Sequence, residues 1–358
     1  MRTLRLILDA NDLNHAASRA SIETAARILR EGGTVAFPTE TVYGLGANAL
    51  NVDSVQKIFE AKQRPSWDPL IVHVSDLEML HHVAAGVPRS AKRLMDVFWP
   101  GPLTLLLPRH PRIPDLVTAG RSRVGVRMPR HPVAQALLLS SRVPIAAPSA
   151  NTFGHTSPTT AQHVADDLDG RIDAILDAGG AENWGETMHG LESTVVDPCE
   201  GPCIVYRPGA VTLDQIRAVC PGAVAFQERD SDRNAAPEAL PSPGIGIRHY
   251  APRARLMLIE SGPGQVRRFS EQVSAPDLAG ERLGLMLPEQ FAEAARDREA
   301  LVYRWGQWDD LEELAQRLFA GLRWLDAQGA SVILCPLPAA TGIGVAIRDR
   351  LLKAARSE

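Results

Sequence analysis

The chain is expected to fold as an α/β protein of two domains. Its 358 residues exceed one average domain. Short apolar runs alternate with amphipathic stretches, irregularly before about residue 210 and regularly after about residue 253. Between them, residues 221–252 are rich in proline, alanine and mixed charge, the texture of a linker. The irregular half predicts a twisted, mixed sheet with helices packed on it, α+β-like in its alternation. The regular half predicts a small, Rossmann-like parallel α/β domain. The boundaries fall at 18–211, 221–252 and 253–358.

In order, residues 21–30 predict a helix with Ser21 as N-cap, an Ile22/Ala25/Ala26/Leu29 face and Gly32-Gly33 as the stop. Val35, Ala36 and Phe37 make a short strand ended by Pro38. A hydroxyl- and glycine-rich turn follows: Thr39, Glu40, Thr41, Tyr43, Gly44 and Gly46. Residues 54–62 predict a helix, a basic turn carries Lys62 and Arg64, and 70–74 form a strand. Helices are expected over 77–84, 88–97 and 132–139, and strands within 99–108 and over 124–128. PIAAPSAN (144–151) repeats the scheme of strand, proline and small polar residues. A capped helix follows TSPTT, 172–176 is apolar, and ESTVVD and CIVYRPG predict paired strands. Thr212 caps a short helix ending at Val219. Beyond the linker, strands are expected over 256–259, 283–287, 302–305 and 332–335. Between the last two, Leu311, Leu314, Leu318, Leu322 and Leu325 recur at helical spacing.

An apolar fraction of 45% excludes a disordered chain, and a net charge of −4 argues against a surface built to coat nucleic acid. A local basic region is still present, where Arg121, Arg123, Arg127 and Arg130 fall together with no acid among them. The cysteines, Cys199, Cys203, Cys220 and Cys335, form no CxxC pair and lack partners at zinc spacing, so reduced structural thiols are expected. The N-terminal apolar run is interrupted by Asp9, too soon for a signal peptide, and no segment has the length of a membrane span. A cytoplasmic protein is expected.

There is no GxxxxGK(S/T) phosphate loop. Gly44-Leu45-Gly46 lacks the third glycine of a dinucleotide fingerprint, and Gly342-Ile343-Gly344 fits a tight strand-to-helix turn. Ser149 and Ser193 lack the context of an esterase nucleophile. His81-His82 fits a solvated helix face. Four pieces remain as a set. Lys62 and Arg64 supply positive charge, and Ser149 and Asn151 supply small hydrogen-bonding groups at a strand end. Arg127, inside an apolar strand, requires an anionic partner, and Arg207 adds a further cation. Each alone fits a structural salt bridge; together they point to a pocket for a polyanion such as a nucleoside triphosphate.

Read in order, FPTETVYGLG, AKQRP, DPLIVHV, WPGPLTLLL, VGVRMP, PIAAPSAN, SPT, ESTVVD and YRPG resemble the YrdC-like domain over about 21–209. Its hallmark Lys-x-Arg and Ser-x-Asn elements correspond to Lys62/Arg64 and Ser149/Asn151. SPGIGIRHYAP and GIGVAIRDRLLKAA resemble the longer members, the L-threonylcarbamoyladenylate synthases. The resemblance implies condensation of L-threonine, bicarbonate and ATP, with Mg²⁺, to threonylcarbamoyl-AMP and pyrophosphate. Partner proteins would then transfer the product to tRNA. It further implies that Thr41, His73, Arg127, Ser193 and the backbone near Ala147 face threonine. Arg64, Asp68, Arg123, Ser149, Asn151, Ser157, Arg207 and Tyr250 would face ATP, with Lys62 beside the phosphates and Lys62 and Arg64 acting in catalysis. Two positions depart from the family pattern: Asp68 stands where asparagine is common, and Arg123 where threonine is common. SPGIGIRHYAP is expected to close over the pocket as a lid. The rival readings are a hydrogenase-maturation-type carbamoyltransferase and an RNA-binding module without chemistry.

Overall fold

The structure, a computed structural model, describes residues 2–179, 187–198, 201–227, 250–278, 280–295 and 299–356. The chain divides into two compact units, the second consisting mainly of the residues from Tyr250 onward. The part of SPGIGIRHYAP before Tyr250 lies outside the described residues, and so does Cys199.

The first unit is built on an 11-stranded mixed sheet in the order β1-β8-β2-β3-β7-β4-β6-β5-β9-β10-β11. Its strands are β1 (Leu4–Ile7), β2 (Val35–Phe37), β3 (Gly44–Asn48), β4 (Ile71–His73), β5 (Leu103–Pro108) and β6 (Arg123–Arg127), followed by β7 (Ile145–Ala146), β8 (Ala174–Asp177), β9 (Thr194–Asp197), β10 (Ile204–Arg207) and β11 (Val224–Ala225). Its helices are α1 (Ala16–Arg30), α2 (Val52–Lys62), α3 (Leu77–Leu80), α4 (Arg89–Phe98), α5 (Asp115–Thr118), α6 (Pro132–Ser141), α7 (Ala161–Leu168) and α8 (Leu213–Val219). The helix α1 packs against α6, and the apolar face of α2, Val55 and Ile58, enters the same core as Phe37 and Leu45.

Several local expectations need correction. Helix α1 begins at Ala16, where His15 Nδ1 caps it by accepting the Ala17 N–H. Ser21 is inside the helix and donates to the Ile7 carbonyl at 2.7 Å. Apolar periodicity starts only at Ile22, so the alanine-rich first turn gave no signal. The glycines after Tyr43 belong to a strand, not a turn. A Cβ on Gly46 would stand 2.6 Å from Ile145 Cγ2 and 2.8 Å from Phe37 Cε1, so glycine is needed there for close strand and side-chain packing. The helix expected over 77–84 stops at Leu80. The chain then turns toward the Pro108–His110 segment, and Ala84 makes a β-bridge with Arg109. The N-terminal apolar run forms β1, paired with β8, and Val224–Ala225 of the expected linker forms β11 beside β10.

The second unit has a four-stranded sheet, all parallel, in the order β12-β15-β13-β14. Its strands are β12 (Arg255–Ile259), β13 (Leu283–Pro288), β14 (Leu301–Gly306) and β15 (Val332–Pro336), and its helices are α9 (Gln265–Val273), α10 (Leu311–Ala327) and α11 (Gly344–Ala354). Leu314, Leu318, Leu322 and Leu325 of α10 are all buried, as their spacing requires. Gly321 lets α10 approach β14: a Cβ there would be 2.6 Å from Tyr303 Cδ1. Trp305 is enclosed and donates its indole N–H to the Leu314 carbonyl at 2.8 Å.

Candidate active site

The site is laid out on one face of the first sheet. His73 pairs in register with Arg127, so both side chains leave the same face. Leu105 stands opposite Val126, and the antiparallel register carries Thr104 to a place beside Arg127. Thr104 pairs with Val195, and Val195 with Arg207 past a bulge at Tyr206. A single row thus runs His73, Arg127, Thr104, Val195, Arg207 across five adjacent strands. Gly125 lies two residues before Arg127 on that face, ringed by Thr104, Ile71 and Leu106.

Arg127 is the centre of the row. Its Nη1 donates to Thr41 Oγ1 at 2.8 Å, its Nε to the Gly101 carbonyl at 3.2 Å, and its Nη2 stands 2.8 Å from Glu40 Oε1. The anionic partner required by a buried arginine is therefore Glu40, the only acid in FPTETVYGLG. Burial opposes ionisation of Glu40. The Arg127 charge and hydrogen bonds outweigh it and hold the carboxyl at about 2. Burial, and then the charge of Arg127, hold His73 at about 3, so its imidazole is neutral at pH 7. Its Nδ1 has no hydrogen-bond partner among the described residues. Phe37 meets the His73 ring edge-on at 6.0 Å.

At the other end of the row, Arg207 donates to the Ser193 carbonyl from Nε at 3.1 Å and from Nη2 at 2.9 Å, and to Ser193 Oγ at 3.1 Å. Ser193 Oγ in turn meets Thr104 Oγ1 at 2.8 Å. Next in the chain, Glu192 accepts from Ser157 Oγ at 2.5 Å. Glu40, Thr104 and Glu192 were not singled out as site residues from the sequence. For Glu40 the signal existed, because an anion was owed to Arg127.

The Lys-x-Arg pair forms a second group. Lys62 Nζ donates to the carbonyls of Ser149, at 2.6 Å, and Asn151. Burial, and next the like charge of Arg64, push Lys62 well below the usual lysine range. Ser149 Oγ donates to Asn151 Oδ1 at 2.5 Å. Arg64 donates to the carbonyls of Asp68 and Pro69 and pairs with Asp68 Oδ2 at 2.9 Å. Asp68 thus gives Arg64 a carboxylate partner, which the asparagine implied by the resemblance could not be. The loop between β2 and β3 joins the groups. Thr41 holds Arg127, while the Tyr43 N–H and carbonyl bond to Pro158 and Ala150.

The other expected residues are placed as follows. The Ala147 N–H donates to the Ile71 carbonyl at 2.8 Å. Arg123 stands 3.8 Å from Asp197, at the edge of the same face. Tyr250 belongs to the second unit, where its ring stacks on Phe319 at 5.7 Å and lies under the Arg350 guanidinium at 5.1 Å. Cys203, Cys220 and Cys335 are buried free thiols. His81 and His82 are exposed. Among the described residues, no group of three or more His, Cys, Asp or Glu gathers to hold a metal, and no helix is long and apolar enough to cross a membrane.

Comparisons with known proteins match the chain over its whole length. The family model described as telomere recombination matches residues 27–209, and the one for the threonylcarbamoyl-AMP synthase C-terminal domain matches 211–356. A threonylcarbamoyl-AMP synthase of Bacillus subtilis is 43% identical, over 99% of this chain and 98% of its own length. One of Pyrococcus abyssi is 42% identical over 93% of each chain. The crystal structure of P. abyssi Sua5 complexed with L-threonine superposes with a TM-score of 0.86 at 38% identity, covering 99% of this chain and 98% of that one. These full-length matches set the synthase reading above the carbamoyltransferase and RNA-module alternatives. The chain belongs to the threonylcarbamoyl-AMP synthase family.

Proposed function

We propose that this synthase joins L-threonine, bicarbonate and ATP in the first unit, in the cytoplasm, and that partner proteins carry the product to tRNA. The observation that carries the reading is the row from His73 to Arg207. It presents two buried guanidinium groups, a neutral imidazole and hydroxyls on one face, with no nucleophile and base paired for covalent catalysis among them.

The chemistry suits such a face. The threonine amine attacks carbon dioxide derived from bicarbonate, forming an N–C bond and losing a proton. A carbamate oxygen then attacks the α-phosphorus of ATP, and the bond to pyrophosphate breaks. Both steps call for positioning and charge stabilisation rather than a protein nucleophile. Arg127 takes the threonine carboxylate with its remaining Nη hydrogens, and Thr41, Ser193, His73 and the Ala147 carbonyl surround the amino acid. Lys62 and Arg207 face the phosphates, and Arg64, paired with Asp68, faces ATP beside them. Ser149, Asn151, Ser157, Asp68 and Arg123 complete the ATP contacts of the first unit. Burial lowers the proton affinity of Lys62, and phosphate charge beside it raises that affinity again, favouring the cation where the leaving group develops charge. Among the described residues no cluster of His, Cys, Asp or Glu fits a resident metal ion, and Mg²⁺ would accompany the nucleotide as its phosphate complex.

Pyrophosphate release, with threonine and bicarbonate omitted in turn, tests the reading. Release that needs both is expected. Release without threonine would point to another acceptor and overturn the assignment of the row.

A further inference from the structure

Arg127 is one of several buried cations on a site that must also take a polyphosphate. A bare guanidinium binds phosphate as readily as carboxylate, and ATP carries the greater charge. Left alone, Arg127 would be contested between the two substrates.

Glu40 changes that balance. Its Oε1 is held from two sides, by Arg127 Nη2 at 2.8 Å and by the Arg130 N–H at 3.0 Å. The residue is only 1% exposed, and Oε2 has no hydrogen-bond partner among the described residues. Buried ion pairs kept for stability alone tend to satisfy every oxygen, and apolar side chains of similar shape serve as well. An ionised carboxylate with an unsatisfied oxygen is a cost to folding that calls for another explanation. It leaves the pair with Arg127 formally neutral and sets a negative edge beside the guanidinium. A small planar carboxylate can still dock on the remaining Nη hydrogens, while a polyphosphate meets like charge.

We propose that Glu40 is a positioning and specificity residue: by neutralising Arg127 it keeps polyphosphate off that guanidinium and reserves it for the threonine carboxylate. The inference rests on the assignment of Arg127 to threonine made above.

The test is L-threonine binding by calorimetry at rising concentrations of inorganic tripolyphosphate, a polyanion that cannot react. The wild-type protein should bind threonine with the same affinity throughout. In Glu40→Gln, which keeps the shape and removes the charge, tripolyphosphate should weaken threonine binding by about tenfold. Glu40→Asp, whose charge is drawn back by one methylene, should show a smaller loss and serves if Glu40→Gln does not fold. A merely structural role would shift stability and leave threonine affinity indifferent to the probe. Indifference in the folded variants overturns the inference, provided that Arg127→Ala has lost threonine binding. If Arg127→Ala binds threonine normally, the assignment of Arg127 is what fails.

Discussion

The two units bury polarity differently. In the first, Glu40, Lys62, Arg64, Asp68, His73 and Arg127 are all enclosed on or beside the sheet. In the second, the sheet strands and α10 bury mainly apolar residues such as Leu285, Phe319, Trp305 and Leu334. Apolar burial follows from the hydrophobic effect and needs only the right periodicity. A buried charge is retained against its desolvation cost and has to be matched, donor by donor. The second unit also buries charge, but Arg350 and Lys353 meet their partner Asp349 within α11 itself, whereas in the first unit Glu40 and Arg127 join distant segments.

The comparison can be broken at its strongest point by Arg127→Ala. Removing the guanidinium should raise the threonine KM by about 100-fold or more, with the ATP KM little changed. It also strands Glu40 as an unpaired buried carboxylate, at a cost of about 3–5 kcal/mol in unfolding free energy. Steady-state pyrophosphate release and denaturant unfolding measure the two effects. Collapse of ATP use with threonine affinity intact would contradict the layout. In the second unit the matching change is Leu318→Ala. A cavity in that core should cost about 2–5 kcal/mol by the same unfolding measurement and leave the threonine KM where it was.

A smaller effect separates the units by pH. His73 has a folded pKa of about 3 against an ordinary 6.5, so it contributes stability that is full above pH 6.5 and declines as pH falls toward 3. Glu40, at about 2 against 4.5, adds a second loss, beginning below pH 4.5. His73→Gln should therefore remove about 2 kcal/mol of the acid sensitivity of unfolding between pH 6.5 and 4.5. An unchanged slope in that window would mean that His73 is not held neutral by burial and Arg127.

Much of this protein is determined by local sequence. The spacing of leucines in α10, the alternation of its neighbours and the Thr212 cap of α8 depend on contacts within a few residues, and a periodic pattern expresses them directly. The Lys62/Arg64 and Ser149/Asn151 elements were legible for the same reason, each being compact in the chain. The demand of Arg127 for an anion was legible too, because it follows from one charge in an apolar strand. Tertiary structure alone decided who answers it. Glu40 and Arg127 are 87 residues apart, and Thr104 and Ser193 are 89 apart. The loop between β2 and β3 carries Glu40 to Arg127, and the pairing of β5 with β9 carries Ser193 to Thr104. Strand β3 escaped notice because its glycines serve packing partners, Phe37 and Ile145, that local pattern cannot name. Periodicity records which face of an element is apolar, but the pairing of polar groups across strands is a property of the sheet.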